Sequence, residues 1–284
     1  MDLIDMHVHT TTSDGSFTPS EVCQLAIDKK LAAIAITDHD TVDGIAEALS
    51  YVKEHDSTLE VIPGIELSSI HNGTEIHMLG FYMDYTNSLL NERLQAVKDA
   101  RLKRNLDMCK LFQADGIEMT LDKLQAGHPD TVITRAHFAR VLIEEGICTN
   151  KDQAFKKYLN PNCKYYIPVP DMSSIEAIEL ISEFGKASFI AHPYQYHMND
   201  RELEEMISLF ASKGLTGIEV YHSSTNSYDS GKLKNLAEKY NLLTSGGSDF
   251  HGVIKPDISI GSGRGDLRVT LHHLTRLKEF CEKK

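Results

Sequence analysis

The chain has 284 residues, of which 41% are hydrophobic and 25% charged, and its formal net charge is −12. These proportions are ordinary for a globular protein, and no run approaches the ~20 apolar residues that a membrane-spanning helix needs. The acidic balance argues against general coating of nucleic acid. Five cysteines without CxxC spacing argue against a disulfide framework and against a thiolate zinc site, so we expect a cytoplasmic protein without membrane association.

Seven short apolar, β-branched runs bounded by turn signals predict β-strands, with amphipathic helices between most of them. The predicted strands cover 3–9, 31–39, 59–69, 74–82, 186–193, 216–222 and 242–251. A capping box at Thr18–Glu21, with Pro19 at the first helical position, predicts the start of the first helix. Other helices are predicted over 43–54, 174–184, 200–213 and 229–240. This alternation predicts an α/β fold with a mainly parallel sheet.

The connection between the third and fourth predicted strands breaks the alternation. It contains Asn72 and Gly73, and Asn-Gly is the strongest short signal for a β-hairpin. We therefore expect these two strands to pair antiparallel. A turn at this dipeptide sets residues whose numbers sum to about 145 opposite each other, so Glu66 and His77 should lie close together.

Residues 88–166 show long helical periodicity without a clear strand. We expect a helical insertion there that covers one side of the barrel mouth, and a barrel domain made of 1–87 and 167–284. Residues 93–166 hold 13 Lys and Arg against 9 Asp and Glu, although the whole chain is acidic. A basic segment in an acidic chain indicates a surface that meets an anion, or else a solvated helical face of mixed charge.

Unusual polar residues gather where the predicted strands end. His7 and His9 are one residue apart in a strand, so their side chains should share a face, where two imidazoles are poor core material. Nine imidazole and carboxylate groups belong to this set: His7, His9, Asp14, His39, Glu66, His77, His192, Asp249 and His251. All but His77 lie at the C-terminal ends of predicted strands, the edge at which α/β folds form their sites. A lone histidine there would usually be structural, but nine converging groups predict a metal centre.

The types of ligand restrict the metal. Six imidazoles and three carboxylates without a thiolate suit Mn, Fe or Zn. Nine ligands are too many for one ion, because a catalytic centre usually takes three or four protein ligands, so a site with two or three metals is implied. Such clusters activate water and neutralise the oxygens of an in-line displacement at phosphorus.

The motifs HxH…D, TDH, GIE, a later His, AHP and SDxH, in that order, resemble those of the PHP (polymerase and histidinol phosphatase) family of metal-dependent phosphoesterases. The resemblance covers nearly the whole chain, and all nine ligand positions are filled. It implies a distorted (β/α)7 barrel with a helical insertion and three divalent ions, with Mn expected first and Fe or Zn as alternatives. By analogy, one ion takes His7, His9, Glu66 and Asp249, a second takes Glu66, His77 and His192, and a third takes Asp14, His39 and His251.

The insertion resembles one branch of that family. This branch removes the 3′-phosphate of 3′,5′-nucleoside bisphosphates, and its members also trim short 5′-phosphorylated oligoribonucleotides from the 5′ end. The matching stretches are ITRAHFAR at 133–140 and KYYIPVP at 164–170. A helix begun at Thr134 would offer amide donors to a phosphate, and Arg135 in its first turn would add a guanidinium.

Four further residues are candidate substrate contacts. Lys164 and Tyr165, with Tyr166 beside them, would supply a charge and a stacking face for a base. His137 and Arg140 belong to the ITRAHFAR stretch and complete the set. The alternative is that these residues are surface charges, packing tyrosines and a structural histidine.

His222 ends the sixth predicted strand at the same rim, outside the ligand set. We expect it to bind the substrate phosphate or to protonate the leaving oxygen as a catalytic residue, or else to be a plain rim histidine. The glycine-rich segment 255–270 is expected to form a rim loop in which Arg264 approaches an anion. The remaining histidines are expected at the surface: His55, His71, His128, His197, His272 and His273.

Three functions stay open on the sequence. The first is bisphosphate hydrolysis, the second is a histidinol-phosphate phosphatase or broader phosphomonoesterase, and the third is a non-catalytic metal-binding module. The basic insertion favours the first, and a non-catalytic module should have lost ligands, whereas this chain retains nine. A small nucleotide and short single-stranded RNA are the expected partners, and no stable protein partner is expected.

Overall fold

The computed structural model describes residues 2–168 and 172–283, so the last two residues of the KYYIPVP stretch lie outside the described residues. Its centre is a seven-stranded sheet in which each strand pairs with the next one along the chain. The strands are β1 (Ile4–Val8), β2 (Ala33–Ile36), β3 (Glu60–His71), β4 (Thr74–Phe81), β5 (Ala187–Ile190), β6 (Gly217–His222) and β7 (Leu243–Gly247). Each of them falls within or overlaps one of the seven predicted strands.

Backbone hydrogen bonds join the first strand to the chain just after the last one. The amide of His9 donates to the carbonyl of Phe250 over 2.9 Å, and the amide of Asp249 donates to the carbonyl of His7 over 2.9 Å. The sheet therefore curves into a nearly closed barrel, as the tilt and twist of seven strands permit. The predicted (β/α)7 type of barrel is confirmed.

Strand β4 runs against its two neighbours, whereas the other pairs of strands are parallel. The turn residues Asn72 and Gly73 have φ angles of 49° and 78°, the positive values that a tight hairpin turn requires. The register sets Ser68 opposite His77 and Glu66 opposite Leu79. The predicted hairpin and its register are confirmed.

Ten helices surround the barrel in the described part of the chain. They are α1 (Pro19–Asp28), α2 (Ile45–Glu54), α3 (Ser88–Ala114), α4 (Leu121–Gln125), α5 (Arg135–Glu144), α6 (Lys151–Ala154), α7 (Ser174–Phe184), α8 (Asp200–Ser212), α9 (Ser227–Lys239) and α10 (Leu271–Cys281). The predicted capping box is present, with the Thr18 side chain accepting from the Glu21 amide and the Glu21 side chain accepting from the Thr18 amide. Among the described residues, no helix combines the length and the apolar character needed to cross a membrane.

The sequence analysis missed α10. Its apolar positions, Leu271, Leu274 and Leu277, are three residues apart, but histidines and charged residues separate them. Leu274 and Leu277 pack with alternate inward residues of the strands, such as Met6 of β1 and Phe189 of β5. This apolar cluster fills the barrel below its polar rim, and a larger one joins the outer face of the sheet to the helices.

Residues 88–166 fold as α3–α6, followed by a π-helical turn over Phe155–Leu159. They contain an apolar cluster of their own, in which the rings of Phe112 and Phe138 stack 6.0 Å apart. The buried side of α3 carries arginine and asparagine as well as apolar residues. The helical content supports the proposed insertion, while its borders stay a prediction.

Candidate metal centre and substrate pocket

Glu66 lies at the centre of the predicted ligands. Its Oε2 atom is 3.2 Å from Nε2 of His7 and 3.1 Å from Nε2 of His9. Its Oε1 atom is 3.0 Å from Nδ1 of His77 and 2.9 Å from Nε2 of His192. Nδ1 of His39 is also 3.3 Å from Oε2, so each oxygen of this carboxylate faces its own set of imidazoles, as a bridging ligand would.

The other predicted ligands extend this cluster on the side of Asp14. The Oδ1 atom of Asp14 is 3.1 Å from Nε2 of His251, and its Oδ2 atom is 3.8 Å from Nε2 of His39. The Oδ1 atom of Asp249 is 3.4 Å from Nε2 of His9 and 3.3 Å from Nδ1 of His251. The structure thus brings all nine predicted side chains to one rim of the barrel.

The donor set fits divalent metal ions. The Nε2 atoms of His7 and His9 are 3.1 Å apart, and both face the same oxygen of Glu66. Buried polar atoms without a hydrogen-bond partner include Oδ1 of Asp14 and Nδ1 of His192. Converging lone pairs of this kind are costly to bury, and a bound cation would compensate them.

Three overlapping groups place their ligand atoms within 4.8 Å of one another. They are His9, Asp14, His39 and His251; His7, His9 and Glu66; and His39, Glu66 and His77. The first group is the implied set of Asp14, His39 and His251 with His9 added. The second group is the implied set of His7, His9, Glu66 and Asp249 without Asp249. The third contains His39 where the resemblance implies His192. The assignment of ligands to individual ions therefore stays a prediction.

Neighbouring groups hold the carboxyls of the cluster ionised. Burial would raise the pKa of Glu66, but the imidazoles of His39, His7 and His77 outweigh it and hold this pKa well below its usual value. Burial would also raise the pKa of Asp249. Nearby positive groups, of which Lys255 has the largest effect, instead hold this pKa well below its usual value. Ionised carboxylates suit metal binding because a ligand must shed its proton to coordinate.

The rim backbone is strained where it carries these side chains. His192 and Asp249 have φ angles of 28° and 57°, in the left-handed region that costs a residue with a Cβ about 1 kcal/mol or more. Hydrogen bonds hold both turns, because the amide of His192 donates to Oε2 of Glu219 over 2.7 Å and that of Asp249 donates to the His7 carbonyl.

Glu219, in the middle of β6, is a functional residue that the sequence analysis missed. It is fully buried, and its Oε1 atom lies 2.9 Å from Nδ1 of His7. A carboxylate that binds the far nitrogen of a ligand imidazole fixes the orientation and tautomer of the ring. The available signal was a glutamate inside the apolar run GIEVYH.

Two more buried carboxylates hold the loops that carry predicted ligands. Asp38 accepts from the Thr10 amide over 2.8 Å and from the Ser13 hydroxyl over 2.5 Å, which fixes the loop between His9 and Asp14. Asp5 accepts from the amide and the hydroxyl of Ser248 over 2.8 and 2.5 Å. Burial raises the pKa of both carboxyls although these hydrogen bonds oppose it.

A pocket of about 180 Å³ lies over the cluster, and residues of the insertion form its other wall. These residues are Arg101, Arg104, Thr134, Arg135, Ala136, Lys151 and Phe155. Thr134 also reaches the cluster, since its hydroxyl donates to Oδ2 of Asp14 over 2.8 Å. The insertion therefore supplies both the basic wall of the pocket and a hydrogen bond to a predicted ligand.

The three arginines of this wall differ in their partners. Arg135 donates to Glu75 over 2.5 Å, and Arg101 is paired with Asp40 and donates to the Ser68 hydroxyl over 2.6 Å. Arg104 is 3% exposed, and its Nε and Nη2 atoms have no hydrogen-bond partner. Burial lowers the pKa of Arg104 to about 9, so the group is a cation at neutral pH. The sequence analysis missed this residue.

The structure brings one of the five predicted substrate contacts, Arg135, into the lining of the pocket. Lys164 and Tyr165 lie elsewhere because both bind Asp115, over 2.6 and 2.5 Å, and the Tyr165 ring stacks 4.1 Å from that of Phe112. The neighbouring Tyr166 is nearer the site, with its ring centre 5.6 Å from the guanidinium carbon of Arg135.

The other two candidates have structural contacts. Arg140 donates to Glu144 over 2.8 Å and to the carbonyl of Lys123 over 2.6 Å, which ties α5 to α4. The Nδ1 atom of His137 accepts from the Thr134 amide over 3.0 Å and completes the cap of α5. These contacts agree with the structural alternative for both residues.

His222 borders the cluster. Its Nδ1 atom is 2.7 Å from the Ser224 hydroxyl, and its buried Nε2 atom is 3.4 Å from Oδ2 of Asp249 without making a hydrogen bond. An imidazole nitrogen left free beside the cluster is available to a substrate. Of the histidines expected at the surface, His71 and His273 are half-buried and the other four are exposed.

The model of the PHP domain family matches residues 5–223. The 5′-3′ exoribonuclease Rnm of Escherichia coli is 33% identical over 250 residues, which are 88% of this chain and 85% of that protein. A 3′,5′-nucleoside bisphosphate phosphatase of Chromobacterium violaceum is 33% identical over 250 residues, 87% of each chain. A phosphoribosyl 1,2-cyclic phosphate 1,2-diphosphodiesterase of Eggerthella lenta is 28% identical over 254 residues, 87% of this chain and 94% of that protein.

Two solved structures are similar over most of their length. A Chromobacterium violaceum protein, described as an amidohydrolase with bound sulfate and no metal, has a TM-score of 0.83 and 33% identity over 91% of this chain and 89% of its own. A Bifidobacterium adolescentis protein designated a metal-dependent phosphoesterase has a TM-score of 0.84 and 29% identity over 98% and 96%.

Proposed function

This chain belongs to the PHP domain family and is a metal-dependent phosphoester hydrolase, and we propose that its substrates are nucleotides with a phosphate at each end of one nucleoside. It removes the 3′-phosphate of 3′,5′-nucleoside bisphosphates and trims short 5′-phosphorylated oligoribonucleotides from the 5′ end. The observation that carries this proposal is that the two walls of the pocket differ in their chemistry. The barrel wall is a cluster of predicted metal ligands, and the insertion wall holds the buried, unpaired guanidinium of Arg104.

Three divalent ions, with Mn²⁺ as the first expectation, are proposed for the cluster. The nine side chains predicted from the sequence would hold them, with Glu66 as the bridge between two ions. When bound, such ions activate water for attack and neutralise charge on the phosphoryl oxygens. The buried carboxylates Glu219, Asp38 and Asp5 orient the ligands, so the chain holds the cluster in place before substrate arrives.

Arg104 would hold the 5′-phosphate through charge-assisted hydrogen bonds, because its Nε and Nη2 atoms have no hydrogen-bond partner, while Nη1 donates to the sulfur of Met108 over 3.5 Å. The scissile phosphate then lies at the cluster, and the nucleoside occupies the space between the two walls. Hydrolysis breaks the bond from phosphorus to O3′ and forms a bond from phosphorus to the water oxygen. O3′ takes up a proton, and His222 is the proposed rim group that either supplies it or holds the phosphate.

Residues 88–166 are proposed to act as the specificity region of the enzyme. They supply Arg101, Arg104, Arg135 and Lys151 to the pocket, whereas the barrel supplies the predicted ligands. Several positively charged side chains of this segment are thus gathered where a second phosphate would bind. The names of two relatives, a bisphosphate phosphatase and a 5′-3′ exoribonuclease, support the same class of substrate.

A panel of substrates tests the proposal. Phosphate release by the Mn²⁺-loaded protein would be measured with 3′-phosphoadenosine 5′-phosphate, histidinol phosphate and 5′-AMP, and cleavage with a short 5′-phosphorylated RNA. We expect kcat/KM for the bisphosphate to exceed that for the other monoesters about a hundredfold, because these lack the second phosphate. Equal or better turnover of histidinol phosphate would keep the metal centre and discard the substrate assignment.

A further inference from the structure

A second cleft, of about 700 Å³, lies beside the substrate pocket at the rim of the barrel. It shares part of its lining with the pocket, namely Lys151, Phe155, Gln195, Asp249 and Lys255. Beyond these residues it is lined by His222, Ser224, Asp257 and Arg264, among others. We call this cleft the downstream groove. Because the two cavities share these five residues, the downstream groove is the neighbouring space for a substrate too large for the pocket.

The chemistry of an oligonucleotide requires such a path. If Arg104 holds the 5′-phosphate and the cluster holds the next phosphate, the first nucleoside fills the pocket between them. Cleavage of the bond between that phosphorus and O3′ leaves the phosphate on the 5′ oxygen of the second nucleotide. The second and later nucleotides are therefore attached to the scissile phosphorus throughout the reaction, and they have to leave the cluster away from Arg104.

The beginning of the groove offers a free polar group to that substrate. His222 is 3% exposed, and its Nε2 atom, which makes no hydrogen bond, lies 3.4 Å from Oδ2 of Asp249. The Ser224 hydroxyl fixes the ring by its 2.7 Å contact with Nδ1. A buried imidazole that is held at one nitrogen and free at the other is suited to bind an oxygen of the phosphate or of the second ribose.

The far part of the groove offers a cation. Nε of Arg264 lies 2.8 Å from Oδ2 of Asp257, and the side chains are 53% and 57% exposed. Ion pairs this exposed contribute little to stability, so a phosphate can compete for the guanidinium. Arg264 also donates to the carbonyl of Ser223 over 3.2 Å, which keeps its head group close to the β6 rim.

We propose that the downstream groove binds the second nucleotide of a 5′-phosphorylated oligoribonucleotide and that Arg264 contacts the phosphate that follows it. This inference rests on the proposed function. It adds the residues that distinguish an oligonucleotide from a nucleoside bisphosphate. A nucleoside bisphosphate ends at the cluster and does not reach Arg264. A trinucleotide carries one more phosphate beyond the scissile one, and that phosphate is the group that Arg264 binds.

The test compares a 5′-phosphorylated adenosine trinucleotide with 3′-phosphoadenosine 5′-phosphate on the metal-loaded enzyme. The measured quantity is the ratio of their kcat/KM values in Arg264→Ala, in Asp257→Asn and in the control Arg276→Ala. The control removes a similarly exposed arginine, which pairs with Glu279 on α10 at 3.0 Å. We expect the ratio to fall about tenfold in Arg264→Ala, since a charge-assisted contact is lost. It should rise in Asp257→Asn, where the competing carboxylate is gone, and stay unchanged in Arg276→Ala.

A ratio in Arg264→Ala equal to that of the wild type or of Arg276→Ala would overturn the inference. Failure of the proposed function has a different signature, namely no hydrolysis of the bisphosphate by the wild-type enzyme. In that case a binding measurement, which does not depend on hydrolysis, tests whether the downstream groove binds the oligonucleotide. A fluorescent trinucleotide with a methylene group in place of its first O3′ cannot be cleaved at that position. Weaker binding of this probe by Arg264→Ala than by Arg276→Ala supports the groove, and equal binding overturns it.

Discussion

The two walls of the pocket are built on different principles. On the barrel wall, turns at the ends of parallel strands carry most of the predicted ligands, and buried carboxylates such as Glu219 and Asp38 hold them. On the insertion wall, arginines project from helices, and two of the three are neutralised by carboxylates of the barrel. The comparison teaches that hydrogen bonds hold the predicted ligands of the barrel wall in place, while the insertion wall leaves two nitrogens of the Arg104 guanidinium without a hydrogen-bond partner.

The largest expected effect, a loss of kcat, comes from a substitution of Glu66 at the centre of the predicted ligands. In Glu66→Gln, the carboxylate that faces the imidazoles of five predicted ligands becomes a neutral amide. We expect kcat to fall on the order of 10³-fold, because the charge that organises the cluster is lost. Metal content per chain, measured by atomic emission on the purified protein, should fall as well. Full metal content together with wild-type kcat would show that Glu66 is no ligand.

The next effect separates the arginines of the insertion wall. Arg104→Met removes the unpaired cation, and kcat/KM for a nucleoside 3′,5′-bisphosphate should fall about a hundredfold. For the 3′-monophosphate of the same nucleoside it should change little, since that substrate lacks the 5′-phosphate. Equal losses on both substrates would assign Arg104 to the chemical step or to folding and would contradict its role as a selector.

Arg101→Met is the matched control for that experiment. It breaks a buried ion pair and leaves Asp40 without its cation, so the free energy of unfolding should fall by about 3–5 kcal/mol. Arg104→Met should cost little stability, because it removes a buried charge that has no partner. Urea denaturation of the two variants measures the difference, and a reversed order would contradict the distinction between the two arginines.

A smaller effect tests whether the buried carboxylates support the barrel wall. In Glu219→Gln, the fold should persist because the side chains have nearly the same size, but the orientation of the His7 ring is no longer fixed by a charge. We expect the affinity for Mn²⁺ to fall about 10–100-fold, with a matching rise in the metal concentration needed for half-maximal activity. Unchanged affinity, measured by calorimetry on metal-free protein, would leave Glu219 with a role in folding alone.

The smallest effect is a dependence on pH at the insertion wall. Burial, and then the nearby charge of Lys255, lower the pKa of Lys151 to about 8. Lys151 therefore loses its proton as the pH rises through about 8, and KM for the bisphosphate should rise several-fold as this cation is lost. Lys151→Arg, which stays charged, should abolish the inflection, and the exposed-lysine control Lys156→Met should retain it. An inflection that persists in Lys151→Arg would assign the titration to another group.

The barrel wall was more predictable from the sequence than the insertion wall. Strand ends are marked by short apolar runs, and the Asn72-Gly73 turn fixes which residues oppose each other, so Glu66 and His77 were placed correctly. The comparisons confirm the family, the type of fold and the phosphoesterase class that the sequence predicted. Glu219 was missed because a glutamate inside a short apolar run does not by itself show that its carboxylate faces a ligand inside the barrel.

The insertion wall depends on how helices rotate and dock, which residue types alone do not determine. Arg101 and Arg104 are three residues apart on α3 and look alike in the sequence, yet one is paired and the other free. Lys164 and Tyr165 were predicted at the substrate, but Asp115 at the end of α3 binds both. Helix α10 was missed because its apolar stripe is narrow and interrupted by histidines.

The closure of the barrel has a consequence for the order in which the protein can mature. His7 and His9 are synthesised long before Asp249 and His251, both of which lie beside the ring of His9. The bonds from His9 to Phe250 and from Asp249 to His7 join residues more than 240 positions apart, and such non-local pairs form late in folding. The complete cluster therefore assembles only after the chain has been synthesised beyond His251, so the finished centre can take up metal only after that point.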